Sequence, residues 1–219
     1  MSAASLILDR RFNGPPDSGN GGITAGLLAG TTDLPVAEVM LRLPPPLEVE
    51  MEVVDGQLLN GTDVVATVTE GEVTLQPPAP VAYQQAREAP SALGPHPHPF
   101  PTCFVCGTDR TDGLGLLPGR VADDLVATVW TPTESSEVMV WAALDCPGGW
   151  SADLPGRPMV LGKMATVIDQ LPAVGQECLI QGWLVGGEGR KVFTGSALYD
   201  ADGTVLAVAQ ATWITLQRS

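Results

Sequence analysis

The chain has 219 residues, of which 44% are hydrophobic and 16% are charged, so it can bury a core and is not a disordered segment. Twenty-five acidic residues against eleven basic ones give a formal net charge of −14, which argues against binding to nucleic acid or anionic membranes. The N-terminus has no basic region followed by an apolar run of about 7–15 residues, so no signal peptide is predicted. No membrane span is predicted either, because no apolar run approaches roughly 20 residues.

The N-terminal part consists of short runs rich in β-forming residues, separated by glycine and proline, which is typical of β-strands. We predict strands over residues 5–12, 37–43, 47–54 and 63–75. The segment GITAGLLAGTT, residues 22–32, is apolar on most sides. It therefore predicts a helix that is buried all round rather than one lying on the surface.

Residues 76–101 interrupt this pattern. Their sequence, QPPAPVAYQQAREAPSALGPHPHPFP, is rich in proline and alanine and shows neither strand nor helix periodicity. We predict a linker here, with a short helix around residues 83–87.

The C-terminal part returns to strands, arranged around a second apolar segment. Residues 137–150, EVMVWAALDCPGGW, predict another buried helix, and the Asp-Gly pair within residues 199–205 predicts a tight hairpin turn. Strands are predicted over residues 124–132, 159–168, 177–187, 190–200 and 204–216. Both parts therefore follow one plan: a strand, a loop, a buried helix and about four antiparallel strands.

Several segments carry a resemblance to one superfamily. Residues 162–214 resemble the strand block of hotdog thioesterases, and residues 12–30 are similar to the first-helix entry of tandem-hotdog acyl-CoA thioesterases. Residues 102–119, together with residues 141–150, resemble a bacterial branch of that superfamily. The resemblance implies an α+β double hotdog, in which two curved antiparallel sheets each wrap around a central buried helix and pack as a pseudo-dimer.

The expected domains are an N-terminal hotdog over residues 1–77, a linker over residues 78–101 and a C-terminal hotdog over residues 102–219. The resemblance implies an acyl-CoA thioesterase-like hydrolase, and a non-catalytic protein that binds acyl groups or acyl-CoA is the alternative. A hydratase or dehydratase of the same fold is disfavoured, because those enzymes generally use a histidine at the helix start and this helix has none.

Asp145 is a single carboxylate inside an apolar segment. Burying an ionised carboxylate without a partner is costly, so its position points to a specific role. The resembling families carry a carboxylate about two turns into the central helix, where the first helix of this chain has Ala29. The resemblance therefore implies that Asp145 acts as base or nucleophile. The alternative is a carboxylate near the helix end that nearby backbone N–H groups satisfy.

Gly21 and Gly22 open the first predicted helix, where backbone N–H groups can hold a developing oxyanion. They match the Gly-Gly pair that opens the central helix in thioesterases of the phenylacetic-acid-pathway type. We predict one composite site, with Gly21 and Gly22 as catalytic donors, Asn20 in contact with substrate and Asp145 from the other half. A flexible loop with an asparagine or serine N-cap is the alternative.

Further substrate contacts are predicted on the C-terminal strands. Tandem acyl-CoA thioesterases use a glutamine on the last strand and a Thr or Ser on another, which implies Gln210, Thr194 and Ser196 here. Gln210 falls one position early, so it faces the other side of the sheet unless a bulge intervenes. Arg190 and Lys191 are candidates for the phosphates of CoA, because basic residues are scarce.

His96, His98, Cys103 and Cys106 include the ligand types of a zinc site, but their spacing is unusual for one. Two reduced thiols are the favoured interpretation, and we predict neither a metal site nor another cofactor. Four cysteines without a dense framework suit a reducing compartment, so we predict a cytoplasmic protein. The expected partner is a small-molecule thioester such as acyl-CoA, and we expect a homodimer.

Overall fold

The computed structural model describes residues 4–216, which contain eleven β-strands and three α-helices. The strands are β1 (Ala4–Ile7), β2 (Ala37–Leu41), β3 (Glu50–Val54), β4 (Gln57–Asn60), β5 (Asp63–Glu70), β6 (Gly119–Ala122), β7 (Leu125–Trp130), β8 (Met159–Ile168), β9 (Cys178–Glu188), β10 (Lys191–Tyr199) and β11 (Val205–Thr215). The helices are α1 (Gly21–Ala29), α2 (Tyr83–Glu88) and α3 (Glu137–Ser151).

All eleven strands belong to one antiparallel sheet in the order β1-β3-β4-β5-β2-β8-β11-β10-β9-β7-β6. The first five strands in this order come from the N-terminal part of the chain and the other six from the C-terminal part. The two parts join where β2 pairs with β8, with Val39 opposite Met164, and Lys163 forms an ion pair of 2.8 Å with Glu38 across the same junction. The two predicted sheets are therefore continuous at one edge.

The strand order reflects the repeated plan expected from the sequence, apart from a shortened first strand and two four-residue strands, β4 and β6, that were not predicted. The predicted strand over residues 5–12 ends at Ile7, because Asp9 accepts a hydrogen bond from the backbone of Arg11 and begins a short 3-10 helix. Strand β4 was not predicted, since it is a four-residue strand between two tight turns. Asp55 and Gly56 adopt positive φ values of 48° and 74° in the first of these turns.

Helices α1 and α3 pack against each other and against the sheet. Their backbones approach so closely at Gly22 and Gly26 that a Cβ atom on Gly22 would lie 2.7 Å from the Trp141 carbonyl oxygen. Thirteen consecutive residues of α3 from Met139 to Ser151 are buried, and α1 is buried over most of its length. The prediction of two enclosed helices is confirmed, and the crossing requires small residues on α1.

Helix α3 continues through Cys146-Pro147-Gly148-Gly149 instead of ending there. Pro147 cannot donate a backbone hydrogen bond, but the sheet supports this stretch closely. Gly182 of β9 lies against the Pro147 carbonyl so tightly that no side chain fits, and the Ser196 hydroxyl donates a 2.6 Å hydrogen bond to the Leu144 carbonyl oxygen. Asp145 therefore occupies the middle of a supported helix and not its C-terminal end.

The predicted linker covers the face of the C-terminal strands opposite α3. Its short helix α2 contains the expected residues, and Ala86 packs into a small apolar cluster with Leu179, Ala197 and Tyr199. The Tyr199 hydroxyl donates a 2.7 Å hydrogen bond to the Pro78 carbonyl oxygen. The linker is therefore fixed to one half of the molecule, and the exact domain limits stay a prediction.

Candidate functional site

A cavity of about 420 Å³ lies between the two halves. Its walls come from the loop before α1, the segment after β2, the middle of α3, strands β8 and β11, and the loop that contains Cys103 and Cys106. Apolar side chains form much of the lining, including Leu41, Met159, Leu161 and Trp213. This volume falls within the range of small-molecule sites, which are mostly apolar with a few polar groups that fix orientation.

Asp145 lines this cavity and is 3% exposed. Its Oδ2 atom accepts a 2.9 Å hydrogen bond from the Asn20 side-chain amide and a 3.1 Å hydrogen bond from the Gly22 backbone N–H. Its Oδ1 atom has no hydrogen-bond partner among residues 4–216. The partners of this carboxylate therefore come from α1 and its cap, across the interface between the two halves, and one oxygen remains unsatisfied.

Asn20 connects the start of α1 to the carboxylate. Its Oδ1 atom accepts from the Ile23 backbone N–H at 2.9 Å, which caps the helix, while its Nδ2 atom donates to Asp145. Asn20 is therefore an N-cap, as one interpretation of the sequence held, and it also orients the acid. Because both ends of its side-chain amide are hydrogen-bonded, Asn20 holds a fixed position at the start of α1.

The two glycines of the predicted site have different surroundings. The Gly22 N–H donates to Asp145, so it is not free to bind a substrate oxygen in this arrangement. The Gly21 N–H lies at the first helical position, where no intrahelical acceptor exists, and it has no acceptor among the described residues. Gly21 also lines the cavity, which makes its N–H the first-turn candidate for contact with a ligand.

The pKa of Asp145 is raised from 3.8 to about 7, mainly by burial and also by the charge of Cys103, and the hydrogen bonds from Gly22 and Asn20 oppose this rise. Desolvation dominates because the ionised form loses its water contacts and receives only two donors in return. A carboxyl group in this range can both accept and release a proton near neutral pH.

Thr194 and Ser196 are not brought to the cavity. The Thr194 hydroxyl accepts a 3.1 Å hydrogen bond from the Trp213 indole N–H, and Ser196 bonds to the carbonyl oxygen of Leu144. Both residues lie on β10 beneath α3 and are almost fully buried. The Ser196 hydroxyl therefore supports the helix that carries Asp145, whereas the Thr194 hydroxyl binds a side chain of β11.

Gln210 faces away from Asp145. Its side-chain carbonyl accepts from the Thr74 backbone N–H at 3.2 Å, and its amide donates to the Glu72 carbonyl oxygen at 2.7 Å. The register between β10 and β11 shifts at Leu206, before Gln210 along the strand, so β11 does contain an irregularity between the Asp-Gly turn and Gln210. The observed hydrogen bonds nevertheless place Gln210 against the segment that follows β5.

The basic residues considered for CoA phosphates also lie outside the cavity. Arg190 donates from Nε to the Thr215 carbonyl oxygen at 3.1 Å, and Lys191 is an exposed residue of β10. Arg42, which the sequence analysis missed, is exposed and is the basic residue among those that line the cavity. Its position inside the predicted strand over residues 37–43 offered no distinguishing signal.

A second group missed by the sequence analysis is Cys146, which joins Cys103 and Cys106 at the cavity wall. Hydrogen bonds with the Cys106 and Cys146 thiols, and with backbone N–H groups of Cys106 and Val105, hold the pKa of Cys103 well below its usual range. Cys146 follows Asp145 on α3, so the same helix supplies the acid and one sulfur atom.

The two histidines do not join this group. The His98 Nε2 atom lies 3.0 Å from the Cys106 carbonyl oxygen, and its Nδ1 atom accepts from the Phe100 N–H at 3.0 Å. Both of its ring nitrogens are therefore engaged by backbone, and His96 is exposed. The zinc ligand set considered from the sequence does not assemble.

Comparison with known proteins identifies the fold. No protein-family model and no curated protein matches this chain. A candidate thioesterase from Novosphingobium aromaticivorans has a TM-score of 0.65 at 12% identity, covering 99% of this chain and 96% of that one. A candidate thioesterase II from Thermobifida fusca has a TM-score of 0.65 at 13% identity, covering 99% and 93%.

A third solved structure is a conserved protein with a hotdog fold from Alicyclobacillus acidocaldarius. It has a TM-score of 0.62 at 13% identity and covers 100% of this chain and 97% of its own. The chain has the double hotdog fold. That prediction is confirmed, and at these identities the likeness concerns the fold alone.

Proposed function

We propose that this double hotdog protein hydrolyses acyl-CoA or a related thioester in the cavity between its halves. The observation that carries the proposal is the buried Asp145 carboxylate, whose Oδ1 atom has no partner among the described residues while Oδ2 is fixed by Asn20 and Gly22. A fixed carboxylate with one open oxygen inside an apolar cavity is suited to activating a water molecule.

The reaction divides between the two halves. Asp145 takes a proton from water as the water oxygen attacks the thioester carbonyl carbon, and the carbonyl oxygen becomes an oxyanion. The Gly21 N–H, which has no acceptor of its own within residues 4–216, donates to that oxyanion with the favourable orientation of the α1 dipole. Collapse of the intermediate breaks the carbon–sulfur bond, and the thiolate receives the proton from Asp145, giving a carboxylic acid and a thiol.

The cavity suggests how the substrate lies. The acyl group occupies the apolar wall formed by Leu41, Leu161 and Trp213, and the CoA part extends toward the exposed Arg42. Arg42 then supplies the positive charge that Arg190 and Lys191 were expected to supply. No helix within residues 4–216 has the length and apolarity needed to span a bilayer. The homodimer, the absence of a cofactor and the cytoplasmic location stay predictions.

The test is steady-state hydrolysis over a panel of acyl-CoA esters of increasing chain length, comparing wild type with Asp145→Asn. Replacing a general base is expected to lower kcat by at least about 100-fold. Glu137→Gln is the matched control, because Glu137 is an exposed acid on the same helix. Equal rates for wild type and Asp145→Asn contradict the catalytic role of this residue.

A non-catalytic acyl or acyl-CoA binder is the second candidate, and one observation favours it. Thr194, Ser196 and Gln210, which the resemblance assigned to the substrate, all bond to other parts of the protein. Binding of an acyl-CoA in calorimetry, without release of free thiol by wild type, selects this alternative. Thiol release that depends on Asp145 selects hydrolysis.

A further inference from the structure

Three of the four cysteines meet at one point, although the sequence separates them. Cys103 and Cys106 lie in the loop before β6, and Cys146 lies on α3. Their sulfur atoms all lie within 4.8 Å of one another, and all three residues are buried and free of disulfides. The fourth cysteine, Cys178, is buried on β9 outside this group.

The distance between the sulfur atoms fits two thiolates that bind one metal ion better than it fits a disulfide bond. The Sγ atoms of Cys103 and Cys146 are 3.8 Å apart. A disulfide requires a sulfur–sulfur distance of about 2.05 Å. Two thiolates bound to one tetrahedral zinc ion, each at about 2.3 Å, are separated by about 3.8 Å.

The surroundings of the cluster supply hydrogen-bond donors. Trp150 is fully buried, and its indole N–H has no hydrogen-bond acceptor within residues 4–216. The Asn20 amide lies 3.9 Å from the Cys103 sulfur. An unsatisfied buried N–H beside thiols is costly unless negative charge develops there.

We propose that Cys103, Cys106 and Cys146 form a binding site for one thiophilic divalent cation, with zinc as the ion that fits. Three thiolates hold the ion, and the fourth coordination position faces the cavity, because all three cysteines line it. Binding of Zn²⁺ to three thiols releases their protons to solvent and leaves a unit with a charge of −1. The Trp150 N–H and the Asn20 amide then face a negatively charged sulfur cluster.

This inference does not depend on thioester hydrolysis. It also differs from the zinc site considered from the sequence, because Cys146 of α3 takes the place of His96 and His98. Three protein ligands with an open position toward a cavity are the donor arrangement of accessible zinc sites, whereas closed structural sites use four. The metal therefore joins the cysteine loop to the helix that carries the acid.

The full-length protein, purified under reducing conditions and stripped with a chelator, is titrated with Zn²⁺ and separately with Co²⁺. We expect one ion per chain and a thiolate-to-cobalt charge-transfer band. Cys146→Ser and Cys178→Ser form a matched pair, since each removes one buried thiol. We expect Cys146→Ser to weaken zinc binding at least about tenfold and to lose about a third of the charge-transfer intensity. Cys178→Ser retains wild-type values.

Failure of the wild type to bind a stoichiometric ion overturns the proposal, as does an equal loss of affinity in both variants. An intact mass lower by two hydrogen atoms under non-reducing conditions, with no bound metal, shows a disulfide and also overturns it. If Cys146→Ser does not fold, Cys106→Ser replaces it in the titration, and the cobalt spectrum of the wild type tests the site independently. A spectrum typical of tetrahedral thiolate coordination supports the site, and a spectrum without charge transfer contradicts it.

Discussion

Helices α1 and α3 occupy corresponding places in the two halves, yet they contribute different chemistry. Helix α1 has nine residues, begins with two glycines and carries no acid, whereas α3 has fifteen residues and carries Asp145 near its middle. Neither helix alone carries both the carboxylate and the groups that donate hydrogen bonds to it. The carboxylate obtains its donors only because α1 crosses α3 at Gly22.

The difference shows how a repeated fold can divide one site between its halves. The α1 side supplies backbone N–H groups and the Asn20 amide, and the α3 side supplies the carboxylate and Cys146. A symmetric pair of sites needs an acid on α1 as well, but Ala29 stands at the corresponding level of that helix. The structure therefore supports one composite site, and the predictions below test this division.

Among the following variants, the largest loss of stability is expected from Gly22→Ala, which acts on the helix crossing. The new Cβ atom lies 2.7 Å from both the Asp145 Cβ atom and the Trp141 carbonyl oxygen, so one helix must move. We expect a loss of about 1–3 kcal/mol in the free energy of unfolding, measured with urea, and a fall in kcat of at least roughly tenfold.

Gly30→Ala, at the C-cap of the same helix, is the matched control. Its φ of −64° suits alanine, and the nearest atom to its new Cβ lies 3.4 Å away. We expect its stability to stay within about 1 kcal/mol of wild type. If Gly22→Ala and Gly30→Ala lower the free energy of unfolding equally, the close approach of the two helices at Gly22 does not explain the loss in Gly22→Ala.

Asn20→Ala and Ser136→Ala compare the N-caps of α1 and α3. Asn20 accepts from Ile23 N–H, and Ser136 accepts from Met139 N–H, so each substitution is expected to cost about 1 kcal/mol of stability. Asn20→Ala also removes a donor from Asp145, and we expect kcat to fall roughly tenfold in that variant alone. Equal kinetic effects in the two variants indicate a merely structural role for Asn20.

Arg42→Ala tests whether this exposed residue of the cavity lining contacts the CoA part of the substrate. We expect KM for acyl-CoA to rise roughly fivefold at low salt, with a smaller rise at high salt, because Arg42 is exposed and its charge is screened. KM for a thioester that lacks phosphates is expected to stay unchanged. Lys191→Ala serves as the control, and a matching rise in that variant contradicts a specific contact at Arg42.

Gln210→Ala is expected to leave hydrolysis unchanged. Its side chain bonds to the backbone of Glu72 and Thr74, so its loss is expected to cost about 1 kcal/mol in the free energy of unfolding. Thermal and urea unfolding measure the stability, and the acyl-CoA panel measures the rate. A fall in kcat without a loss of stability contradicts the outward position of this residue.

Sequence patterns determined much of the fold because they follow from local physics. The long C-terminal strands and both buried helices were predicted close to their observed bounds, since their periods and turn residues are local properties. Strands β4 and β6 were missed because each has four residues, which is too short for a period to be recognised. The resemblance to tandem-hotdog thioesterases then predicted that the two halves pack as a pseudo-dimer.

The composite site was predicted only in outline. Asp145 stood out because a carboxylate in an apolar helix is unusual, and Gly21 and Gly22 stood out because glycine opens the helix. The meeting of Cys146 with Cys103, the position of Arg42 and the support of α3 by Ser196 depend on contacts between distant segments. No local pattern encodes such distances.

By itself, the sequence determined which segments are strands, which helices are buried and which acid lacks local partners, because side-chain period and polarity act over a few residues. Tertiary structure alone decided that Gly22 donates to Asp145 while Gly21 remains open, and that Gln210 faces outward. Those outcomes depend on how closely two helices cross and on which face of a strand a residue occupies, and both are fixed only when the whole sheet is assembled.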